Sequence, residues 1–231
     1  MKPIYDITSL TLLDYPGELA CIAWISKCNL RCVYCHNPDI IASSGKKEAS
    51  DLISFLKKRQ NQLTGVVFSG GEATFYSELP KLIAQVKSLG YKVKLDTNGT
   101  NPKMINELLS MKVLNYVALD YKCNREKSKE LIGTDKFYNA FRESLEQLIK
   151  ADNKDLHLEI RTTYYSTILT ESDLNDIIID LDDLGFTGTY AIQNVIATGN
   201  DTFGKINKPV RSLNKEAIVD AKNFKIIYRN F

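Results

Sequence analysis

Short apolar runs alternate with amphipathic stretches along most of this chain. Cys21–Ile25, Gly65–Phe68, Tyr91–Asp96, Leu114–Asp120, Leu156–Thr162 and Thr189–Val195 are brief and rich in Val, Ile and aromatic residues. That is how parallel strands covered on both faces read. Between them, Leu79, Leu82, Ile83, Val86 and Leu89 recur at helical spacing, as do Leu174, Ile177, Ile178, Leu181 and Leu184. Asn101-Pro102 predicts an N-cap followed by Pro in the first turn. Thr170 with Asp173 predicts a capping box in which Asp replaces the usual Glu or Gln. Six strand–helix repeats imply an α/β protein with a parallel sheet and right-handed crossovers. Six are too few for a closed eight-stranded barrel, so the expected architecture is an open, partial (βα)6 barrel.

Beyond Val195 the pattern weakens. Thr198-Gly199-Asn200-Asp201 reads as a turn, and residues 200–207 carry too little apolar content for a core element. Leu213–Ala221 predicts a short helix and Phe224–Tyr228 a terminal strand, a tail that covers either the barrel or a docking groove. The expected organisation is one domain of 231 residues, with a core over about 18–195 and a C-terminal extension over about 196–231. Thirty basic residues against twenty-eight acidic give a formal charge of +2 with no basic block, so nucleic-acid binding has no electrostatic footprint. The longest apolar runs fall short of the ~20 residues of a membrane span. The start Met1-Lys2-Pro3-Ile4-Tyr5-Asp6 lacks the apolar region of a signal peptide. A reducing, cytoplasmic setting is expected.

The chemistry gathers in Cys28-Asn29-Leu30-Arg31-Cys32-Val33-Tyr34-Cys35, where three cysteines fall within eight residues. One short loop can aim three thiolates at a single inorganic centre. Thiolates are the ligands of iron–sulfur clusters, and a cubane takes four; three leave one iron open. Disulfides are disfavoured by the odd count of five cysteines. A structural zinc site would bring a second Cys or His pair, and only His36, adjacent to Cys35, is at hand. Cys21 lies in an apolar run and reads as a small buried hydrophobe; Cys123 reads as filler.

Polar residues also collect where the predicted strands end, which is where parallel α/β sheets place their active groups. Ser69-Gly70-Gly71-Glu72 follows the second strand, Asp96-Thr97-Asn98-Gly99 the third and Asp120-Tyr121-Lys122 the fourth. Arg161 ends the fifth and Gln193 lies near the end of the sixth. Each signal alone is ordinary turn chemistry; their repetition at one end of successive strands points to a shared mouth.

With Tyr34 as the aromatic, Cys28-x3-Cys32-x2-Cys35 resembles the signature of the radical S-adenosylmethionine (radical SAM) superfamily. Asp14-Tyr15-Pro16-Gly17 ahead of the loop and Cys35-His36-Asn37-Pro38 closing it resemble the activating enzymes of glycyl-radical enzymes. The nearest subgroup is that of anaerobic ribonucleoside-triphosphate reductase, related to the pyruvate formate-lyase activators. The likeness runs from about Ile7 to Val195 and is weakest beyond.

The resemblance implies a [4Fe–4S] cluster on Cys28, Cys32 and Cys35, with S-adenosylmethionine chelating the open iron. It implies reductive cleavage of that cofactor and a hydrogen taken from a glycine of a partner glycyl-radical enzyme, with flavodoxin or ferredoxin as reductant. Ser69, Gly70, Gly71 and Glu72 are similar to the cofactor-binding motif, although Ala73 stands where many relatives have Pro. Arg161 then faces the cofactor's carboxylate or ribose, or forms a salt bridge on the rim. Tyr34 is placed on the cluster or the adenine, and Asn29, Arg31 and Asn37 as donors tuning its potential. Asp96, Thr97 and Asp120 match positions that hold a monovalent cation in pyruvate formate-lyase activators, with Lys122 as the competing counter-charge. Lys27 replaces a glycine common in relatives. The alternatives are a pyruvate formate-lyase-type activator, a radical SAM enzyme acting on a small molecule or peptide, and a non-catalytic iron–sulfur electron carrier. The carrier is disfavoured because it needs no cofactor pocket.

Overall fold

A computed structural model of the chain describes residues 2–151, 154–196, 202–206 and 211–231. Eight strands form one sheet in chain order: β1 (Ile4–Thr11), β2 (Ala20–Ile25), β3 (Gly65–Gly70), β4 (Lys92–Thr97), β5 (Tyr116–Asp120), β6 (His157–Tyr164), β7 (Thr189–Asn194) and β8 (Lys225–Arg229). β2 to β8 run parallel, and β1 pairs antiparallel with β2. The helices are α1 (Pro38–Ala42), α2 (Ala49–Lys58), α3 (Leu79–Ser88), α4 (Pro102–Ser110), α5 (Arg125–Ile132), α6 (Tyr138–Ile149) and α7 (Glu171–Asp183). Sequential parallel strands with same-handed crossovers put the helices on one face and leave the other for the site.

All six predicted parallel strands are present, with ends shifted by up to two residues. β1 escaped the sequence reading because it is an edge strand whose alternation, Ile4 buried and Asp6 and Thr8 exposed, is short and mostly polar. The terminal strand is β8, which extends the sheet beside β7. The helix expected over Leu213–Ala221 does not form; only a single 3-10 turn, Lys215–Ala217, is seen. Its backbone is satisfied by α7 instead. Asn175 accepts from Val219 N at 3.0 Å and donates to Ala217 O at 2.9 Å, and the Asp182 carboxylate accepts from Lys222 N at 3.1 Å. The turn expected at Thr198–Asp201 lies outside the described residues. The expected caps are in place: Met104 N donates to the Asn101 side chain, and Thr170 and Asp173 close the reciprocal box at the start of α7. Among the described residues no helix is long and apolar enough to cross a membrane.

Period-two alternation divides each strand between two environments. Cys21, Ala23, Val66, Phe68, Val93, Leu95, Val117, Leu119, Ile160 and Ile192 face the helices in one large apolar core. The opposite face carries a small cluster of Tyr15, Ala20, Ile22, Val67, Tyr116 and Ala118. Tyr15, from the Asp14–Gly17 run, sets its ring edge-on to Tyr116 at 5.7 Å. Gly65 makes room for it, since a Cβ there would lie 2.9 Å from the Tyr15 ring. That run therefore packs against the amino end of the sheet.

Candidate active site

The cysteine loop leaves β2 at Ile25 and enters α1 at Pro38, tied down along its length. Lys27 N donates to Ile40 O at 2.9 Å, Arg31 N to Ile132 O at 3.1 Å and Val33 N to Leu131 O at 3.0 Å. From the other side, Gly71 N reaches Ile25 O and Glu72 N reaches Lys27 O, both at 2.8 Å. Residues 202–206 clip on last, with Phe203 N on Cys35 O at 2.9 Å and Gly204 N on Val33 O at 2.8 Å. Gly70 and Gly71 are glycines because of this contact. A Cβ on Gly71 would stand 1.9 Å from Lys27 O, and Gly70 has φ +121. Lys27 itself adopts φ +71, the left-handed region that favours glycine.

Cys28, Cys32, Tyr34, Cys35, Ser69, Gly70, Gly71, Glu72, Asp96, Thr97, Asp120, Lys122 and Arg161 all line one cavity of about 230 Å³ at the carboxyl ends of the strands. Of the residues expected to hold cluster, cofactor or cation, only Gln193 lies elsewhere. It pairs in register with Thr163 and accepts at 3.2 Å from Arg229 Nη1, which also donates to Glu159. A wider cleft of about 630 Å³ opens at the amino ends. It contains no cysteine, and the ion pairs Lys92–Glu18 and Arg229–Glu159 lie within it.

The three thiols are free and mutually close: Cys28 and Cys35 each raise the cost of ionising Cys32, and Cys35 does the same to Cys28. Burial pushes Cys32 up to about 12 and Cys28 above the usual thiol range, while nearby Lys122 pulls both down. Ligation must therefore expel protons from buried thiols. Donors already surround Cys28 Sγ, with Leu30 N at 3.4 Å and Asn98 Nδ2 at 4.0 Å. Tyr34 is buried, and its hydroxyl has no hydrogen-bond partner. Lys122 stands 5.7 Å over its ring. An orphaned hydroxyl, three thiols and a cation on one cavity fit a cluster with a polar co-ligand. Among the described residues no three His, Cys, Asp or Glu side chains converge on one ion-sized point; the thiolates of a cubane each take a different iron.

Arg31 serves the loop rather than the sulfurs, donating to Cys28 O at 2.8 Å and Leu30 O at 2.9 Å. Glu72 is 1% exposed. Its Oε1 accepts from Thr74 N, Thr74 Oγ1 and Thr97 Oγ1, and its Oε2 accepts from Asn98 N at 2.7 Å. Burial raises its pKa while these bonds oppose the rise. This carboxylate stitches β3 to β4, and Thr97 is committed to it.

The strand-end charges form a chain across the cavity wall. Arg161 Nε donates to Asp120 Oδ1 at 2.9 Å, and its Nη1 lies 3.6 Å from Asp96 Oδ2. Lys122 Nζ donates to Asp120 Oδ2 at 2.9 Å, Ser69 Oγ to Asp96 Oδ2 at 3.2 Å, and Lys94 Nζ to Asp96 Oδ1. Burial raises Asp120, but Arg161 and Lys122 outweigh it and hold the carboxyl at about 2. Sequence reading missed Lys94, Thr163 and Asn98. Alternation was the available signal for the first two, which stand two residues from Asp96 and Arg161. Asn98 read as turn chemistry.

The family model of the radical SAM superfamily matches residues 22–184. A Methanocaldococcus jannaschii protein provisionally named a glycyl-radical enzyme activating enzyme is 32% identical over 82% of this chain and 78% of its own length. The pyruvate formate-lyase-activating enzyme of Clostridium pasteurianum is 34% identical over 61% of this chain and 63% of its own. The crystal structure of Streptococcus suis SuiB matches the fold with a TM-score of 0.67 at 16% identity, over 89% of this chain. This chain spans 47% of that structure's length.

Proposed function

The chain belongs to the radical SAM superfamily, and on that premise we propose that it activates a glycyl-radical enzyme, with anaerobic ribonucleoside-triphosphate reductase as the client. The observation that carries the reading is the joining of three cysteines and a row of strand-end charges in one cavity. The Methanocaldococcus relative and the Asp14–Gly17 and Cys35–Pro38 runs support the activating role, and this client is that of the subgroup the chain resembles. The Clostridium relative favours a second reading, in which the client is a pyruvate formate-lyase.

In this superfamily the [4Fe–4S] cluster and S-adenosylmethionine, when bound, supply an electron and a carbon-centred radical able to take hydrogen from an unactivated C–H bond. The protein's part is to hold and orient. Cys28, Cys32 and Cys35 would hold three irons and leave the fourth for the cofactor's amino and carboxylate groups. Lys122 offsets the negative charge that thiolates bring to the loop. Arg161, fixed by two carboxylates, presents its remaining donors at the wall as a planar fork suited to a carboxylate or a ribose edge. Cys35 is half-buried and His36 exposed where the loop meets solvent. We assign the electron donor, a flavodoxin or ferredoxin, to that face, and the protein to the reducing cytoplasm, in keeping with its five free cysteines.

The test is anaerobic, with reconstituted, reduced protein, S-adenosylmethionine and each client enzyme in turn. Electron paramagnetic resonance is expected to show a glycyl radical on the ribonucleotide reductase. A radical only on pyruvate formate-lyase would move the client to the second reading. Cofactor cleavage with a radical on neither would reject the activating role.

A further inference from the structure

We infer that Lys94 is a built-in counter-cation of the cofactor site, an ammonium carried on β4 in the place where a loose monovalent cation would otherwise balance Asp96. The inference rests on the radical SAM reading of the cavity.

Lys94 is only 3% exposed, unusual for a residue type that is almost never fully buried unless paired. It stands two residues before Asp96 and so shares its face of the sheet, away from the helices. Its Nζ contacts Asp96 Oδ1 and lies 5.3 Å over the Tyr116 ring. With it in place, every carboxylate oxygen of the pair has a cationic partner. Asp96 Oδ1 has Lys94 and Oδ2 has Arg161; Asp120 Oδ1 has Arg161 and Oδ2 has Lys122. Lys94, Arg161 and Lys122 thus surround these two carboxylates, while the third carboxylate of the cavity, Glu72, is held by Thr74, Thr97 and Asn98. A sodium or potassium ion entering beside Asp96 would have to displace one of these side-chain cations.

This departs from the monovalent-cation site expected at Asp96, Thr97 and Asp120. Thr97 gives its hydroxyl to Glu72 at 2.7 Å, and the two aspartates are each held by side chains. The difference is visible in how the protein responds to salts, which an ordinary structural ion pair would not dictate.

The experiment compares anaerobically reconstituted protein in sodium, potassium and tetramethylammonium chloride at equal ionic strength, reading the thermal midpoint and S-adenosylmethionine affinity. The wild type is expected to give the same midpoint and affinity in all three salts. Lys94→Ala, which opens a space beside Asp96, is expected to bind the cofactor about tenfold more weakly in tetramethylammonium, the scale of one lost charge-assisted contact. Sodium, potassium or ammonium should restore it and raise its midpoint, as any ligand of the native state does. Lys94→Met, which fills the space without charge, should lose affinity and resist rescue.

A wild type that needs sodium or potassium would overturn the inference. So would a folded Lys94→Ala that binds normally in tetramethylammonium, or one that small cations fail to rescue. If Lys94→Ala does not fold, the wild-type comparison decides alone. No client protein enters these readouts, so the activating role can fail while this inference stands. A wild type that does not bind the cofactor at all would instead reject the radical SAM reading.

Discussion

Replacing Cys32 by Ala is expected to abolish the iron–sulfur absorption of the reconstituted protein and to take S-adenosylmethionine cleavage below detection. Cys28→Ala and Cys35→Ala should do the same, because all three line one cavity on a single loop. The backbone of that loop is fixed by hydrogen bonds to Ile40, Leu131, Ile132, Glu72 and Phe203 rather than by the metal, so these variants should stay folded. Cys21→Ala and Cys123→Ala should keep both cluster and cleavage. Cys21 is fully buried in the apolar core beside the helices. Cys123 is 1% exposed and near Cys32, but it does not line the cavity. If Cys123→Ala lost the cluster as completely as Cys32→Ala, a fourth thiolate would be bound and the open iron would be gone.

Arg161→Ala should cost both stability and rate. Arg161 bridges Asp96 and Asp120, so its loss leaves two part-buried carboxylates repelling across the cavity wall. Breaking a buried pair costs about 3–5 kcal/mol. Lys94 and Lys122 remain as partners here, so about 2 kcal/mol is expected, a fall in thermal midpoint of roughly 4–8 °C for a chain of this size. Cleavage of S-adenosylmethionine should fall by ~100-fold, the scale of a misplaced reacting group. Arg161→Lys should recover most of the midpoint and little of the rate, because an ammonium cannot span both carboxylates. The stabilisation from Asp120 should be complete above its unfolded value near 3.8 and be lost as pH falls towards about 2. A midpoint and rate both unchanged in Arg161→Ala would show that the charge chain orders nothing.

Much of this was legible because parallel strands advertise themselves. The runs at Gly65 and Tyr116 are apolar on both faces, and the polar residues ending them could be placed on one rim from the sequence alone. The cysteine spacing needed no fold at all. What stayed hidden depends on contacts distant in sequence. Gly70 and Gly71 read as part of a cofactor-binding motif, whereas their missing Cβ atoms first make room for Ile25 O and Lys27 O. Glu72 read as a ligand, and only the approach of β4 shows its carboxylate taken up by Thr74, Thr97 and Asn98. Lys94 gave no sign of itself, because a charge facing the inside of an open sheet looks the same in sequence as one facing water. Leu213–Ala221 had the composition of a helix, but Asn175 and Asp182 supplied its backbone with other partners.

The central claim is that this cavity directs a hydrogen abstraction from a glycine of a partner protein. Its most direct test uses a client ribonucleotide reductase labelled with α-deuterated glycine, incubated anaerobically with the reduced protein and S-adenosylmethionine. Mass spectrometry of the 5′-deoxyadenosine formed is predicted to show deuterium transferred from the client, in step with growth of the glycyl radical signal. 5′-Deoxyadenosine formed without deuterium, with no radical on the client, would contradict the account.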